Sequence, residues 1–313
     1  MEFLTDYKIS AKYSRMRIDR LLSMRYSYLS RSEWQKEISR GKLSCNGNVV
    51  TKLDMKIKTG DVLSYAGRDA AEPDVNENFS VLYEDEYLLG INKPGNLPVH
   101  PAGIFYHNTL LSFLRKSYPM TLHLLHRLDR ETSGVVLIAK DARVASHIQK
   151  NFSAIEKKYI ALVHGMPDND EFMIDMPIDC DASSGIEHKR AAFEGARQKA
   201  CTEFVRLASF NGVSLMKAMP RTGRQHQIRV HLKHAGFPIV GDKLYGPDES
   251  VFREFVKNGF TDDLMGRLGF RRSALHSRSI LLHHPVLQKK ILIKAPLAED
   301  MRQFIIDKRN SDV

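Results

Sequence analysis

One stretch limits what this chain can become. His126-Arg127-Leu128-Asp129-Arg130-Glu131-Thr132-Ser133-Gly134 runs directly into Val135-Val136-Leu137-Ile138-Ala139-Lys140. The second half is a short, continuous apolar run rich in β-branched residues, which predicts a strand buried on both faces. The first half is a charged loop that feeds it. Flanking guanidinium groups favour the ionised form of Asp129, and Gly134 permits a tight turn or the close approach of another group. Any fold that accepts the stretch must therefore hold a carboxylate at the mouth of a buried strand. On spacing alone, an exposed Arg/Asp pair capping that strand, worth about 0–1 kcal/mol, fits as well as a functional acid.

With 313 residues, two domains are expected. The net charge of +10 points to an acidic partner, nucleic acid first and anionic membrane second. Cys45, Cys180 and Cys201 are far apart and lack a Cys-x-x-Cys spacing. They fit reduced thiols better than a disulfide framework or a zinc site. The first residues lack the basic-then-apolar pattern of a signal peptide, and no apolar run approaches membrane-spanning length. A cytoplasmic, soluble protein is expected.

Charge is concentrated at the front. Residues 1–68 hold fourteen basic and seven acidic side chains, a net +7, whereas residues 69–90 hold only acids. That switch predicts a basic module over 1–70, an acidic linker over 71–80 and a larger domain over 81–313. Inside the module, Ile18, Leu21 and Leu22 suggest a short helix. Ser30-x-x-Glu33 is a capping-box pattern opening a second one, with Trp34 and Ile38 one turn apart and Gly41 beyond its end. Lys42-Leu43-Ser44-Cys45 then alternates into an Asn46-Gly47 turn, a hairpin signal. This order resembles the small αL-type RNA-binding module of a ribosomal small-subunit protein, with Arg17-Ile18-Asp19 as a mild departure from its Arg-Leu-Asp. The resemblance implies that Arg17, Arg20, Arg31 and Lys42 track phosphates, which positions RNA without reading its sequence.

Further along, Tyr87–Ile91 reads as a strand entering Asn92-Lys93-Pro94-Gly95, where Pro-Gly suits the centre of a type II turn. Asp141 can cap a helix whose apolar stripe is Val144, Ile148, Phe152 and Ile155. Lys157–Gly165 reads as a strand that puts Tyr159, Ala161 and Val163 on one face. Residues 170–200 say least, and a strand is expected over Glu203–Leu207. Arg221-Thr222-Gly223-Arg224-Gln225-His226-Gln227-Ile228-Arg229 is a Gly-containing loop entering a helix with two arginines, a natural anion site. Arg229 on that helix could reach a buried carboxylate. His231 and His234 have a spacing that permits a metal, but no acidic co-ligand lies near them, so none is expected.

His-Arg-Leu-Asp-x-x-Thr-Ser-Gly before an apolar strand ending in Ala-Lys, Lys-x-Tyr-x-Ala-Leu-x-x-Gly at residues 157–165 and the Arg221–His231 motif together resemble the RluA-type pseudouridine synthases. The likeness runs from about residue 3 to about 303. It implies an α+β fold: a mixed, largely antiparallel sheet with flanking helices as the catalytic domain, and a small N-terminal α/β RNA-binding module. It implies that Asp129 is the essential carboxylate, that Arg229 pairs with it, and that Tyr159 stacks on the target base. Arg127 would fill the gap or hold a phosphate when the nucleotide flips, and Arg221 and Arg224 would contact RNA. Isomerising uridine involves no redox change and no hydrolysis, so no cofactor or metal is implied. Structured RNA is the expected partner and a monomer the expected state, with large-subunit ribosomal RNA favoured over transfer RNA by analogy with the basic module. Two other readings differ in testable ways. A non-catalytic RNA-binding factor would not need Asp129, Tyr159 and Arg229 together. A nucleoside hydrolase would need a second carboxylate to activate water, and Glu131 is the near candidate.

Overall fold

The computed structural model describes residues 7–26, 29–66, 72–102, 104–186 and 189–310. It divides into two compact units, Met1–Val75 with Pro98–Pro119, and Asn76–Leu97 with Met120–Val313. Part of the charge switch, residues 67–71, lies outside the described residues; residues 72–79 form neither helix nor strand.

In the first unit the helices Ile18–Arg25 and Arg31–Ser39 accompany an antiparallel sheet, in the order Tyr7–Lys8, Val62–Tyr65, Leu43–Cys45, Asn48–Val49. The capping box forms as its spacing predicts: Ser30 Oγ accepts from the Glu33 N–H at 3.3 Å, and Glu33 Oε2 accepts from the Ser30 N–H at 2.8 Å. Trp34 and Ile38 are then fully buried with Leu21, Leu22 and Leu63, and the Trp34 indole N–H donates to Tyr26 O at 3.0 Å. Asn46 and Gly47 both have positive φ, 52° and 78°, the backbone that a two-residue type I′ hairpin demands. The helix Leu110–Ser117, capped by Thr109, completes this unit.

The second unit is built on a mixed, largely antiparallel sheet of ten strands among the described residues. Its main path runs Glu171–Asp175, Cys201–Phe210, Val213–Pro220, Glu156–His164, Leu275–His283, Ser133–Ala139, Leu88–Lys93, Ser80–Glu84. Ser133–Ala139 is buried along its whole length, as an apolar run without alternation should be. It pairs antiparallel with Leu88–Lys93 and parallel with Leu275–His283, in register at His276–Ser133 and Ser277–Gly134. Gly134 makes the parallel join possible. Its φ is +105°, and a Cβ there would lie 2.2 Å from Ser277 O.

Two local expectations need correcting, and a third holds over a longer span. The helix after Asp141 is capped as expected, with Asp141 Oδ1 accepting from the Arg143 and Val144 N–H groups, but it ends at Lys150. Asn151 turns back on it, donating to His147 O from its side chain at 2.9 Å, and Phe152 falls in a 3-10 turn outside the helical stripe. The turn after Lys93 is centred on Gly95-Asn96 rather than Pro94-Gly95, and the Arg272 side chain packs where a Gly95 Cβ would lie. Asn96 (φ 57°) supplies the left-handed residue of this turn. Finally, the strand expected over Glu203–Leu207 is the middle of Cys201–Phe210, one arm of a long hairpin closed by Asn211-Gly212 with φ of 41° and 72°.

Candidate active site

The charged loop before Ser133–Ala139, the strand Glu156–His164 and the helix Gln227–His234 meet around a cavity of about 330 Å³, within the size range of small-ligand pockets. Asp129, Tyr159 and Arg229 all line it, although 100 residues separate the acid from the arginine. The helix is set by Gln227. Its Oε1 accepts from Arg224 N at 2.9 Å and Thr222 Oγ1 at 2.7 Å, while its Nε2 donates to Cys201 O and Thr202 Oγ1, both at 2.9 Å. The entering loop is thereby tied to the strand Cys201–Phe210, with His226 left-handed at φ 58°. The Arg224 N–H is spent inside the protein, so the expected anion site at this helix start falls to the side chains instead.

Arg229 sits between two carboxylates. Its Nε and Nη2 clasp Asp242 at 2.6 and 2.9 Å, and its Nη1 donates to Asp129 Oδ2 at 2.7 Å. Such charge-assisted, forked bonds fix direction as well as distance. Asp242 is fully buried and also accepts from the Leu244 and Tyr245 N–H groups at 3.0 Å and from Ser273 Oγ at 3.2 Å. Burial opposes its charge, but Arg229 and these N–H donors prevail and hold the carboxyl at about 2. The Arg229 guanidinium also lies 5.0 Å from the centre of the Tyr245 ring.

Asp129 is about a quarter exposed, open to the cavity and backed by this pillar. Burial pushes its carboxyl up, yet His226, Arg229 and Arg127 together bring it below the ordinary carboxylate value. His226 Nε2 is 3.7 Å from Asp129 Oδ1 and Nδ1 is 2.8 Å from the Tyr245 hydroxyl. Burial and then Arg229 pull His226 itself down to about 4, so it is neutral at pH 7 and the guanidiniums sustain the Asp129 charge there. Tyr159 is buried against the cavity wall, and desolvation with the nearby Asp129 charge pushes its hydroxyl up to about 12. It enters any reaction as a protonated, flat aromatic surface.

A sequence model described as RNA pseudouridylate synthase matches residues 87–234, and an S4 domain model matches residues 16–63. An uncharacterized RNA pseudouridine synthase of Bacillus subtilis, YlyB, is 30% identical over 98% of each chain. Ribosomal large subunit pseudouridine synthase C of Buchnera aphidicola from Acyrthosiphon pisum is 32% identical over 95% of each. The chain belongs to the RluA-type RNA pseudouridine synthases. In three dimensions, human RNA pseudouridylate synthase domain containing 4 superposes with a TM-score of 0.57 at 29% identity, covering 73% of this synthase and 92% of the human chain.

The other expected contacts divide into two groups. Arg127 and Arg224 are exposed and line the synthase cavity, whereas Arg221 does not line it and pairs with Glu203 at 2.8 Å. In the S4 domain, Arg17 and Arg31 are roughly half exposed, but both bond the buried Asp19, at 3.1 and 2.9 Å. Burial opposes the Asp19 charge; these arginines and Gln35 overcome it and hold the carboxyl at about 2. Arg20 is exposed and Lys42 partly so. Arg130, expected beside Asp129, turns away to Glu131 at 3.6 Å and the Phe255 ring at 5.7 Å. Glu131 accepts from Lys243 Nζ at 2.6 Å and Ser273 N at 2.9 Å and does not line the cavity, which leaves the hydrolase reading without its second carboxylate. His231 spends both ring nitrogens on Thr202 Oγ1 and Met176 O at 2.9 Å. Sequence reasoning assigned no role to Asp242, His226 or Lys157. Asp242 carries no distinguishing local signal: its bonds to the Leu244 and Tyr245 N–H groups are open to many aspartates, and its pairing with Arg229 is tertiary. Among the described residues no helix is long and apolar enough to cross a membrane.

Proposed function

We propose that this synthase isomerises uridines of large-subunit ribosomal RNA, with Asp129 as the essential carboxylate. One observation carries the reading: an ionised acid faces a nucleotide-sized cavity, aimed by an arginine that a fully buried second acid holds in place. Asp129 acts on the ribose, either as a nucleophile at the anomeric carbon or as a base drawing a proton from the sugar. Arg229 keeps it charged and oriented. Tyr159 stacks on the flipped base, excludes water and has a secondary part in proton transfer. Arg127 and Arg224 hold phosphates at the rim, and Arg127 fills the space the flipped nucleotide leaves. The S4 domain positions RNA by phosphate contacts through Arg20 and Lys42, with the half-exposed Arg17 and Arg31, whose charge Asp19 offsets in part, as weaker contacts and Arg221 adding one beside the cavity. Ribosomal RNA is favoured over transfer RNA because relatives covering nearly the whole chain are named for the large ribosomal subunit. The enzyme acts in the cytoplasm as a monomer and uses no metal or cofactor.

Asp129→Asn tests the reading, because it preserves shape and removes charge. The variant should bind RNA as the wild type does and form no pseudouridine in total RNA from cells lacking the gene. Turnover above about a tenth of wild type overturns the assignment. Release of free uracil would instead support hydrolysis.

A further inference from the structure

One cation lining the cavity has no polar partner among the described residues. Lys157 precedes Tyr159 by two residues on the strand Glu156–His164, so both side chains emerge on the same face. Its side chain is 7% exposed and forms part of the cavity wall. Other buried cations of this unit are committed within the protein. Lys93 donates to the carbonyls of Pro94, Leu97 and Arg130, Lys243 to Glu131, and Arg272 to Asp300. Among the described residues the Lys157 ammonium makes no hydrogen bond and no ion pair; its Nζ lies 4.9 Å from the centre of the Phe152 ring. Burial without a counter-charge disfavours an ammonium and lowers its proton affinity. Such a cost is tolerated where the missing partner comes with the substrate.

We propose that the Lys157 ammonium receives the negative charge of the uracil as it leaves the sugar. The proposal rests on the pseudouridine-forming reading of this cavity. Phosphates suit the exposed guanidiniums of Arg127 and Arg224, which keep an anion hydrated. Lys157 is buried where Arg127 and Arg224 are exposed, and it lines a cavity that also carries the apolar side chains of Leu125, Phe152 and Leu275, where a neutral base fits and a phosphate would be stripped of water. The base is uncharged on entry. When the glycosidic bond breaks, its electron pair goes to uracil N1 and spreads over the ring oxygens, while Asp129 takes up the sugar or a sugar proton. Lys157 donates a hydrogen bond to one of those oxygens and keeps its own proton throughout. The charge disappears when carbon 5 bonds the sugar, as the sugar bond to Asp129 breaks or Asp129 returns the sugar proton; the ring proton then leaves carbon 5 and a proton is taken up at N1, so no proton is gained or lost overall. A contact that strengthens only as charge develops raises kcat rather than affinity.

The surrounding groups make the proposal testable by pH. His126, lowered by burial and then by Lys157, and His226 both sit at about 4, and Tyr159 at about 12. The other charged groups lining the cavity are Asp129, already ionised, and the guanidiniums of Arg127, Arg224 and Arg229. Lys157 is left as the cavity group that loses charge on the alkaline side. Lys157→Met and Lys157→Arg should be compared with the wild type and Asp129→Asn on total RNA from cells lacking the gene. We expect Lys157→Met to lower kcat about a hundredfold with KM and melting temperature near wild type, and Lys157→Arg to restore at least a tenth of the wild-type rate. The ratio of wild-type to Lys157→Arg rates, in which titration of the uracil itself cancels, should fall as pH rises. A Lys157→Met rate within threefold of wild type overturns the proposal, as does an equal loss in Lys157→Arg or a pH-independent ratio. Should Lys157→Met fail to fold, the ratio decides alone. An inactive wild type instead refutes the underlying function, whereas an active wild type with a dead Asp129→Asn and an unaffected Lys157→Met refutes only the role of Lys157.

Discussion

Arg229→Met separates the charge that holds the site from the volume that fills it. Methionine keeps much of the side chain but leaves Asp242 buried without its counter-ion. A carboxyl held at about 2 instead of 3.8 contributes about 2 kcal/mol of stability at neutral pH. Because the folded value lies below the unfolded one, that contribution is fully present above pH 3.8 and is lost as pH falls through about 2. In the variant, burial opposes the charge with only the N–H donors and Ser273 against it, so the folded value rises above the unfolded one. The sign then reverses: the variant loses stability as pH rises past the ordinary carboxylate range. Breaking a buried pair from one side costs about 3–5 kcal/mol, and the loss at pH 7 should fall in that range. Urea titrations between pH 4.5 and 7.5, read by hydrogen exchange in peptides covering Ser133–Ala139 and Leu275–His283, would follow the unit concerned. The difference between wild type and variant should shrink steadily towards acid. A difference that is constant across this range, or below about 1 kcal/mol at pH 7, refutes the pillar argument.

Gly134→Ala should cost more than about 2 kcal/mol, seen as a large fall in melting temperature, because its Cβ would collide with backbone at Ser277 and no rotamer can relieve it. In the S4 domain, Arg20→Ala should leave melting unchanged and reduce the slope of log affinity against log salt by about 1. Arg17→Ala should lower stability as well, since the buried Asp19 loses two bonds.

What could be read before the fold was known follows from locality. The Ser30–Glu33 cap, the Asn46-Gly47 turn and the Asp141 cap are short-range chemistry, and each forms at the expected residues. Asn211-Gly212 carries the same hairpin signal as Asn46-Gly47, and with it the strand Val213–Pro220 was within reach of the same reasoning. Asp129 and Tyr159 were legible because each lies in a dense motif. The partnership with Arg229, across 100 residues, came only from resemblance. Arg130 and Arg127 look equivalent around Asp129 in the sequence, yet the loop sends one to Phe255 and the other to the cavity. Likewise, Arg17 and Arg31 look like free phosphate ligands until Asp19 appears beneath them. Pairing among charges is a tertiary property, and composition counts a neutralised arginine the same as an available one. Lys157 is the converse case: its isolation, rather than its charge, marks it out, and no periodicity encodes isolation.

The protein has a single tryptophan, and the fold puts it in the interior of the smaller unit, 5.0 Å from the Tyr65 ring. Indole emission from the intact enzyme therefore arises inside that unit. Docking of a transcript on the basic module can be followed through it with no label attached and no truncation made.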